Sequence, residues 1–437
     1  MYEINITADE LIASSLRISK TECVSLLDSG GVGHLGSHLL IAGIDPVETL
    51  EISHPDPAET LAKIDELTSS DLACIFSISY DFGQKLLGLK VRKKEFDDDS
   101  EPDLFITNFD VLIIHDYDTG KTFLTGNEEK FDVISANLLA NLEYTSFDGP
   151  IHTVDVTSNF TSSSYIAAIE NIKERIRSGD TYQTNLTQHL KANLPDDLSP
   201  QQIFWRLRRD HPAPFAAFLK RHDSTVVSAS PERFFKIDKD STISTSPIKG
   251  TRPRGATEDE DEALRQELLT SKKDLAENTM IVDLLRNDLG RVCEYGSVEV
   301  EKLCELEEHP TFFHLVSTIN GKLREGVKLS GILRAVFPCG SITGAPKIST
   351  MRIIDEIETA PRGLSMGAIG YSIQNSKFEI PNCTDLSVAI RTAVIRDQIA
   401  NFNVGGGIVI DSDPESEYDE TLTKAKALLA AIGGKLS

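Results

Sequence analysis

The chain has 437 residues, with 44 Lys and Arg against 68 Asp and Glu, for a net charge of -24. That balance argues against nucleic acid or an anionic membrane as a partner. The composition, 40% hydrophobic and 26% charged, is that of an ordinary globular protein with enough length for a large core and two lobes.

The opening stretch MYEINITADELIASS has neither a basic nor an apolar leader pattern. No apolar run is long enough to span a bilayer, so a cytoplasmic protein is expected. The six cysteines (Cys23, Cys74, Cys293, Cys304, Cys339 and Cys383) form no C-x-x-C pair and stand at no zinc spacing to a histidine. They read as thiols of a reducing compartment.

In chain order, LLIAGI and VLIIHDYDTGKTFLTG predict strands joined by turns. The polar segment 146–164, which carries Gly149-Pro150, predicts a boundary between an N-terminal lobe (1–150) and a catalytic domain (151–437). Ile166, Ile169, Ile172 and Ile176 recur at helical spacing up to Gly179. TYQTNLTQHL, FAAFLK, STVVSAS, LSVAIRTAVI and NFNVGGGIVI all predict strands. Strands and helices come in groups, which predicts an α+β fold with large, mostly antiparallel sheets and helices outside.

Two helices carry carboxylate pairs. In 272–291 an apolar stripe of Met280, Ile281 and Leu284 accompanies Asp274 and Glu277, three residues apart on one face. A second helix has Asp413 as N-cap, Pro414 at its first position and Gly433 at its end, with Glu417 and Glu420 near its start. The pairs are either solvated helix faces or the oxygen ligands of a hard cation such as Mg2+.

Other stretches suit an anion. CGSITGAPK is a turn feeding a helix, with Ser341, Thr343 and Lys347 near free backbone N–H groups. Gly405, Gly406 and Gly407 inside a strand mark a close approach. Arg391, in an alternating apolar strand, is buried and needs a carboxylate partner, from a ligand or from the protein. Glu232 follows a strand end and is either a general acid or the partner of Arg233. Lys249, in SPIKGTRPRG, is either a loop lysine or a nucleophile whose pKa is lowered by burial or by Arg252 and Arg254.

These segments, in this order over about residues 160–430, resemble the chorismate-utilising enzymes of the anthranilate synthase component I family. The resemblance rests on GDTYQTNLTQ, SASPERFF, PIKGTRPRG, AENTMIVDLLRNDLGRV, HLVSTI, GSITGAPK, AIGYS, AIRTAV and GGGIVIDSDPESEYDET. It implies that fold and Mg2+ held by Glu277 and Glu420, with Asp274 and Glu417 nearby. It implies substrate carboxylates gripped by Arg391, Tyr371 and the Gly405–Gly407 backbone. It also implies Gly250, Thr251, His314, Thr343 and Lys347 in or beside the pocket, and Glu232 as the acid for the departing C4 hydroxyl.

Two positions separate the branches. Gln183 stands where water-using relatives carry a lysine base. Lys249 stands where anthranilate synthases carry alanine and where the aminodeoxychorismate synthase branch carries a lysine nucleophile. That branch implies conversion of chorismate and ammonia to 4-amino-4-deoxychorismate, a folate precursor, with ammonia from a separate glutamine amidotransferase subunit. The alternatives are an anthranilate synthase or a non-catalytic ligand-binding protein on the same scaffold. LLDSG (26–30) resembles the wall of a tryptophan pocket, with Ser29, Pro214 and Phe215 as its lining.

Overall fold

Local signals set the helix ends. Thr161 caps the helix Ser162–Arg177 through its side chain, and Gly179 follows it at φ +81. Asp413 caps the helix Pro414–Ile432, which ends at Gly433 in the left-handed region. The chain is described by a computed structural model over residues 2–32, 38–89, 101–142, 147–308, 312–378, 380 and 382–436. Ser146, the first residue of the expected boundary, lies outside them.

The strands assemble into two large sheets. The first runs in the order 2–4, 121–126, 111–116, 39–44, 24–28, 215–220, 224–230, 392–396, 399–408, 183–193, 154–158 and 434–436. The second runs 248–253, 312–322, 242–245, 233–237, 383–388, 368–373, 73–78, 104–109 and 48–52. Pairing is antiparallel throughout, except where Gly434–Leu436 lies parallel to Val154–Ser158. Both sheets mix N-terminal and C-terminal strands: Ala73–Ile78 pairs with Ala368–Ile373, and Val24–Asp28 pairs with Phe215–Lys220.

The sheets face each other across a core that includes Ile41, Ile75, Phe105, Ala217, Val226 and Ile369. Helices cover the outer faces. Those over the first sheet contribute Leu11, Phe204 and Leu428, and those over the second contribute Ile64, Ile281 and Leu333. The large antiparallel sheets with helices outside are the architecture that the grouped elements predict.

The buried stripe of the helix Lys272–Gly290 is Asn278, Ile281, Val282, Leu285 and Leu289, not Met280 and Leu284, which are half-buried. LSVAIRTAVI is two strands. Cys383–Val388 belongs to the second sheet and Thr392–Arg396 to the first. The chain changes sheets between them, with Arg391 at φ +49. Among the described residues no helix is long and apolar enough to cross a membrane.

Candidate active site

The site forms where the two sheets, two helices and one turn converge. Gln183 opens the strand Gln183–Asn193, which pairs along its length with Ile399–Ile408. That pairing sets Gly407 opposite Asn185 and Gly405 opposite Thr187. The glycines give the site its floor. A Cβ on Gly407 would lie 2.3 Å from Gln183 Nε2 and 2.8 Å from Glu277 Oε1. A Cβ on Gly406 would lie 3.4 Å from Glu417 Oε2 and 3.9 Å from Glu420 Oε1. Carboxylates from both helices therefore meet one glycine strand.

Lys249 projects into this space from the strand Ile248–Pro253. Its Nζ is 2.7 Å from Glu277 Oε1 and 3.4 Å from the Ser341 carbonyl oxygen. Gln183 Nε2 donates to the same Glu277 oxygen at 2.6 Å. Burial alone would lower the lysine's pKa. The Glu277 carboxylate, with Glu232 and Glu420 behind it, outweighs burial and holds the ammonium above its ordinary value. Burial likewise pushes the Glu277 carboxyl up, and the Lys249 contact overrides it, so its pKa is lowered.

The expected cationic activation of Lys249 is corrected. Arg252 binds Glu267 and Asp274, and Arg254 binds Asp261 while lying over the Phe313 ring. Both arginines are drawn to the acidic helix Glu258–Thr270 and its neighbour, away from the amine.

Glu232 lies on the far side of the pocket and is 7% exposed. Its Oε1 accepts from Ser341 Oγ at 2.6 Å. Burial raises its pKa, and Ser341 and the Lys249 charge bring it only partly back. Arg233 is not its partner, since that guanidinium forms a two-pronged pair with Asp385 at 2.9 Å. A buried carboxyl with a raised pKa has the properties of a general acid.

The remaining carboxylates are each engaged. Asp274 accepts from Arg252, Glu417 from Lys273 at 2.9 Å and Ser412 at 2.6 Å, and Glu420 pairs with Lys424 at 2.8 Å. Lys424 also donates to the Gly405 carbonyl. Among the described residues no three acidic, histidine or cysteine side chains gather as a ready-made metal cage. The donors still fit Mg2+, which takes one or two carboxylates with waters and an anionic substrate. Glu277 and Glu420 both act on the Lys249 ammonium, which places the two carboxylates around one pocket.

Gly250 sits at φ +88 with its bare Cα against Leu268 and Asp274, and Thr251 Oγ1 bonds His314 Nδ1 at 2.8 Å. Thr343 is buried in the turn, with its hydroxyl donating to Cys339 and Gly340 carbonyls. Cys339 beside it is buried, 3.3 Å from Ser341 Oγ, and burial pushes its thiol up to about 11.

Three placements differ from expectation. Arg391 is neither in a strand nor buried and paired. It lies at the sheet crossing and is exposed, and among the described residues its guanidinium has no partner. The surrounding protein nonetheless desolvates it enough to lower its pKa. Lys347 turns away from the pocket to Asp288 at 2.6 Å and the Val336 carbonyl at 2.8 Å, because it starts a helix packed over buried Asp288. Tyr371 faces the core between the sheets, where its hydroxyl accepts from Cys383 Sγ, so it is not beside Lys249.

Tyr371 instead lines a second cavity with Ser29, Pro214, Phe215, Asp28 and Asp385. Its volume of about 40 Å³ leaves room for about three waters. Ser29 Oγ is buried there, and among the described residues it has no hydrogen-bond partner.

Sequence spacing missed Ser341 as the partner of Glu232, and Lys273 and Lys424 as partners of the C-terminal carboxylates. Only the i,i+4 spacing of Glu420 and Lys424 carried a signal.

A family model described as chorismate binding enzyme matches residues 26–430. The aminodeoxychorismate synthase of Streptomyces griseus is 46% identical over 268 residues, 61% of this chain and 36% of that protein. The chain thus spans little more than a third of that relative's length. Aminodeoxychorismate synthase component 1 of Bacillus subtilis is 33% identical over 434 residues, covering 91% of this chain and 90% of the relative. The crystal structure of anthranilate synthase component I from Streptococcus pneumoniae superposes with a TM-score of 0.77 at 27% identity, over 91% of this chain and 93% of that one. The fold, the convergent acid, lysine and carboxylates, and these matches agree: the chain belongs to the chorismate binding enzyme family.

Proposed function

We propose that the chain is the synthase component of an aminodeoxychorismate synthase. It would convert chorismate and ammonia to 4-amino-4-deoxychorismate through a covalent bond to Lys249. The observation that carries this reading is the Lys249 amine itself, inside the pocket, 2.7 Å from Glu277 and beside Gln183 rather than a basic residue.

Lys249 must react as the neutral amine, so its ammonium first gives up a proton to solvent. Nζ then forms a bond to C2 of the ring as the C4–O bond breaks. Glu232 donates its proton to that oxygen, which departs as water. Ammonia forms the C4–N bond, the C2–Nζ bond breaks, and a proton passes from the new nitrogen to the amine of Lys249. The pyruvyl ether is untouched. Gln183 cannot deprotonate water, which favours ammonia as nucleophile. Arg391 offers a planar, unclaimed fork for a substrate carboxylate. Glu277 and Glu420 would hold Mg2+, which when bound supplies positive charge for the ring carboxylate.

The ammonia is proposed to come from a separate glutamine amidotransferase subunit, in keeping with the absence, among the described residues, of a cysteine set up for glutamine hydrolysis. All six cysteines are free, and burial raises the pKa of Cys23, Cys74, Cys293, Cys339 and Cys383. The Ser29, Pro214 and Phe215 cavity is proposed to take tryptophan as an effector, after opening beyond its present volume.

The test is incubation with chorismate, Mg2+ and an ammonium salt, with products identified by mass spectrometry. Aminodeoxychorismate is expected, and Lys249→Ala should abolish it. Anthranilate with pyruvate would show an anthranilate synthase instead. No turnover, even with a glutaminase subunit added, would leave a binding protein.

A further inference from the structure

Two side-chain carbonyl oxygens in the site accept no hydrogen bond from any described residue: Gln183 Oε1 and Asn185 Oδ1. Both are buried, with Gln183 at 1% exposure and Asn185 at 7%. Buried acceptors without partners are uncommon in native proteins and destabilising, so two of them together require a reason. They are two residues apart in one strand, so they share a face, with Cα atoms roughly 6.5 Å apart. Thr184 Oγ1, also without a partner among the described residues, lies between them on the opposite face and does not contribute.

The orientation of Gln183 is not arbitrary. Glu277 Oε1 already accepts from Lys249 Nζ at 2.7 Å, and a carboxylate so paired is an acceptor only. It therefore demands the amide N–H of Gln183, which it receives at 2.6 Å. The carbonyl end is left without a donor among the described residues. Asn185 is fixed through its backbone: its N–H donates to the Thr343 carbonyl at 2.8 Å, and its carbonyl accepts from Arg362 at 2.7 Å. Opposite it in the sheet stands Gly407, whose bare Cα lets Gln183 Nε2 and Glu277 Oε1 approach.

A pair of neutral acceptors selects a ligand rich in donors. Chorismate offers mainly acceptors, namely two carboxylates and an ether. Its one reacting hydroxyl belongs to Glu232 in the scheme above. Ammonia has three N–H donors and one lone pair. Held by two carbonyl oxygens, it keeps that lone pair free to attack. A carboxylate in the same place would favour ammonium, which has no lone pair, whereas an amide carbonyl does not.

We propose that Gln183 and Asn185 form the seat for ammonia, with their side-chain carbonyls accepting two of its N–H bonds. Asn185 is then a positioning residue for the second nucleophile. The inference rests on the proposed reaction, and it concerns a binding step in which no bond to carbon changes.

The test separates the two half-reactions. The lysine adduct with chorismate is measured by intact-protein mass spectrometry without ammonium salt. Steady-state turnover is then measured over a range of ammonium concentrations at fixed pH. Asn185→Ala is expected to form the adduct at the wild-type rate, while its KM for ammonium rises at least about tenfold. Asn185→Asp is expected to keep a KM near wild type but lose kcat, because it holds ammonium. Asn185→Ser, which retains an acceptor, should recover part of the loss. An unchanged KM for ammonium in Asn185→Ala would overturn the inference, as would a slowed adduct step in all three variants. Failure of the wild type itself to form the adduct would instead sink the parent reading.

Discussion

Ser341 Oγ donates to Glu232 Oε1 at 2.6 Å, across 109 residues of sequence. The bond stabilises the ionised carboxylate, so it opposes the burial that raises the pKa of Glu232. A hydrogen bond to a charged acceptor is worth about 1.5–3 kcal/mol, or roughly one pH unit or more. Ser341→Ala is therefore expected to raise the acid's pKa further. Because the acid must be protonated to act, the alkaline limb of kcat/KM should move to higher pH by about one unit. A limb that stays in place would mean that another group donates the proton.

Gly407 gives a second prediction. An alanine methyl there would overlap Gln183 Nε2 and crowd Glu277 Oε1. Displacing both groups by about 1 Å is enough to cost roughly a hundredfold in turnover. The overpacking should destabilise the fold by only about 1–3 kcal/mol. Activity and thermal melts on Gly407→Ala check this, and a variant with full activity would contradict the placement of the floor.

Asp81 offers a pH test away from the chemistry. It is half-buried behind the Arg362–Gly363 turn, accepts from the Gly363 N–H, and has its pKa pushed up to about 7 by desolvation. The sign follows from linkage. A carboxyl raised above its unfolded value contributes stability that is fully present below about pH 4 and lost as pH rises to about 7. The loss is on the order of 1.4 kcal/mol per pH unit in that window, as an upper bound. Asp81→Asn should remove this slope, giving melting curves that cross those of the wild type between these limits. Parallel pH profiles for the two proteins would refute the assignment.

The Ser29 cavity gives a fourth. If tryptophan is its effector, saturating tryptophan at about 100 times Kd should stabilise the protein by about 2.7 kcal/mol. Ser29→Leu, which fills the cavity, should abolish that shift while leaving the unliganded melt near wild type. No shift in the wild type at millimolar tryptophan would reject the effector.

Most elements were legible because their signals are local. Asp413, Pro414 and Gly433 bracket one helix by cap chemistry, and the strands FAAFLK and STVVSAS fall where alternation puts them. Alternation failed at residues 386–395 because it reports a face and not a sheet. The chain leaves one sheet and enters the other there, and Arg391 takes a left-handed conformation to do so.

The site was legible as a set of residue types, and its pairings were not. Lys249 meets Glu277 across 28 positions and Lys273 meets Glu417 across 144, distances that no periodicity encodes. Arg252 and Arg254 looked available to Lys249 from their nearness in sequence. The acidic helix that follows them claims both.

The pairing of Ala73–Ile78 with Ala368–Ile373 also has a consequence during synthesis. At about 5–20 residues per second, the earlier strand waits roughly 15–60 s for its neighbour to emerge from the ribosome. Its apolar residues Ile75, Phe76 and Ile78, buried in the finished protein, lack one wall for all that time. The N-terminal part of the chain thus emerges as a half-built sandwich, open to aggregation until the last strands close it.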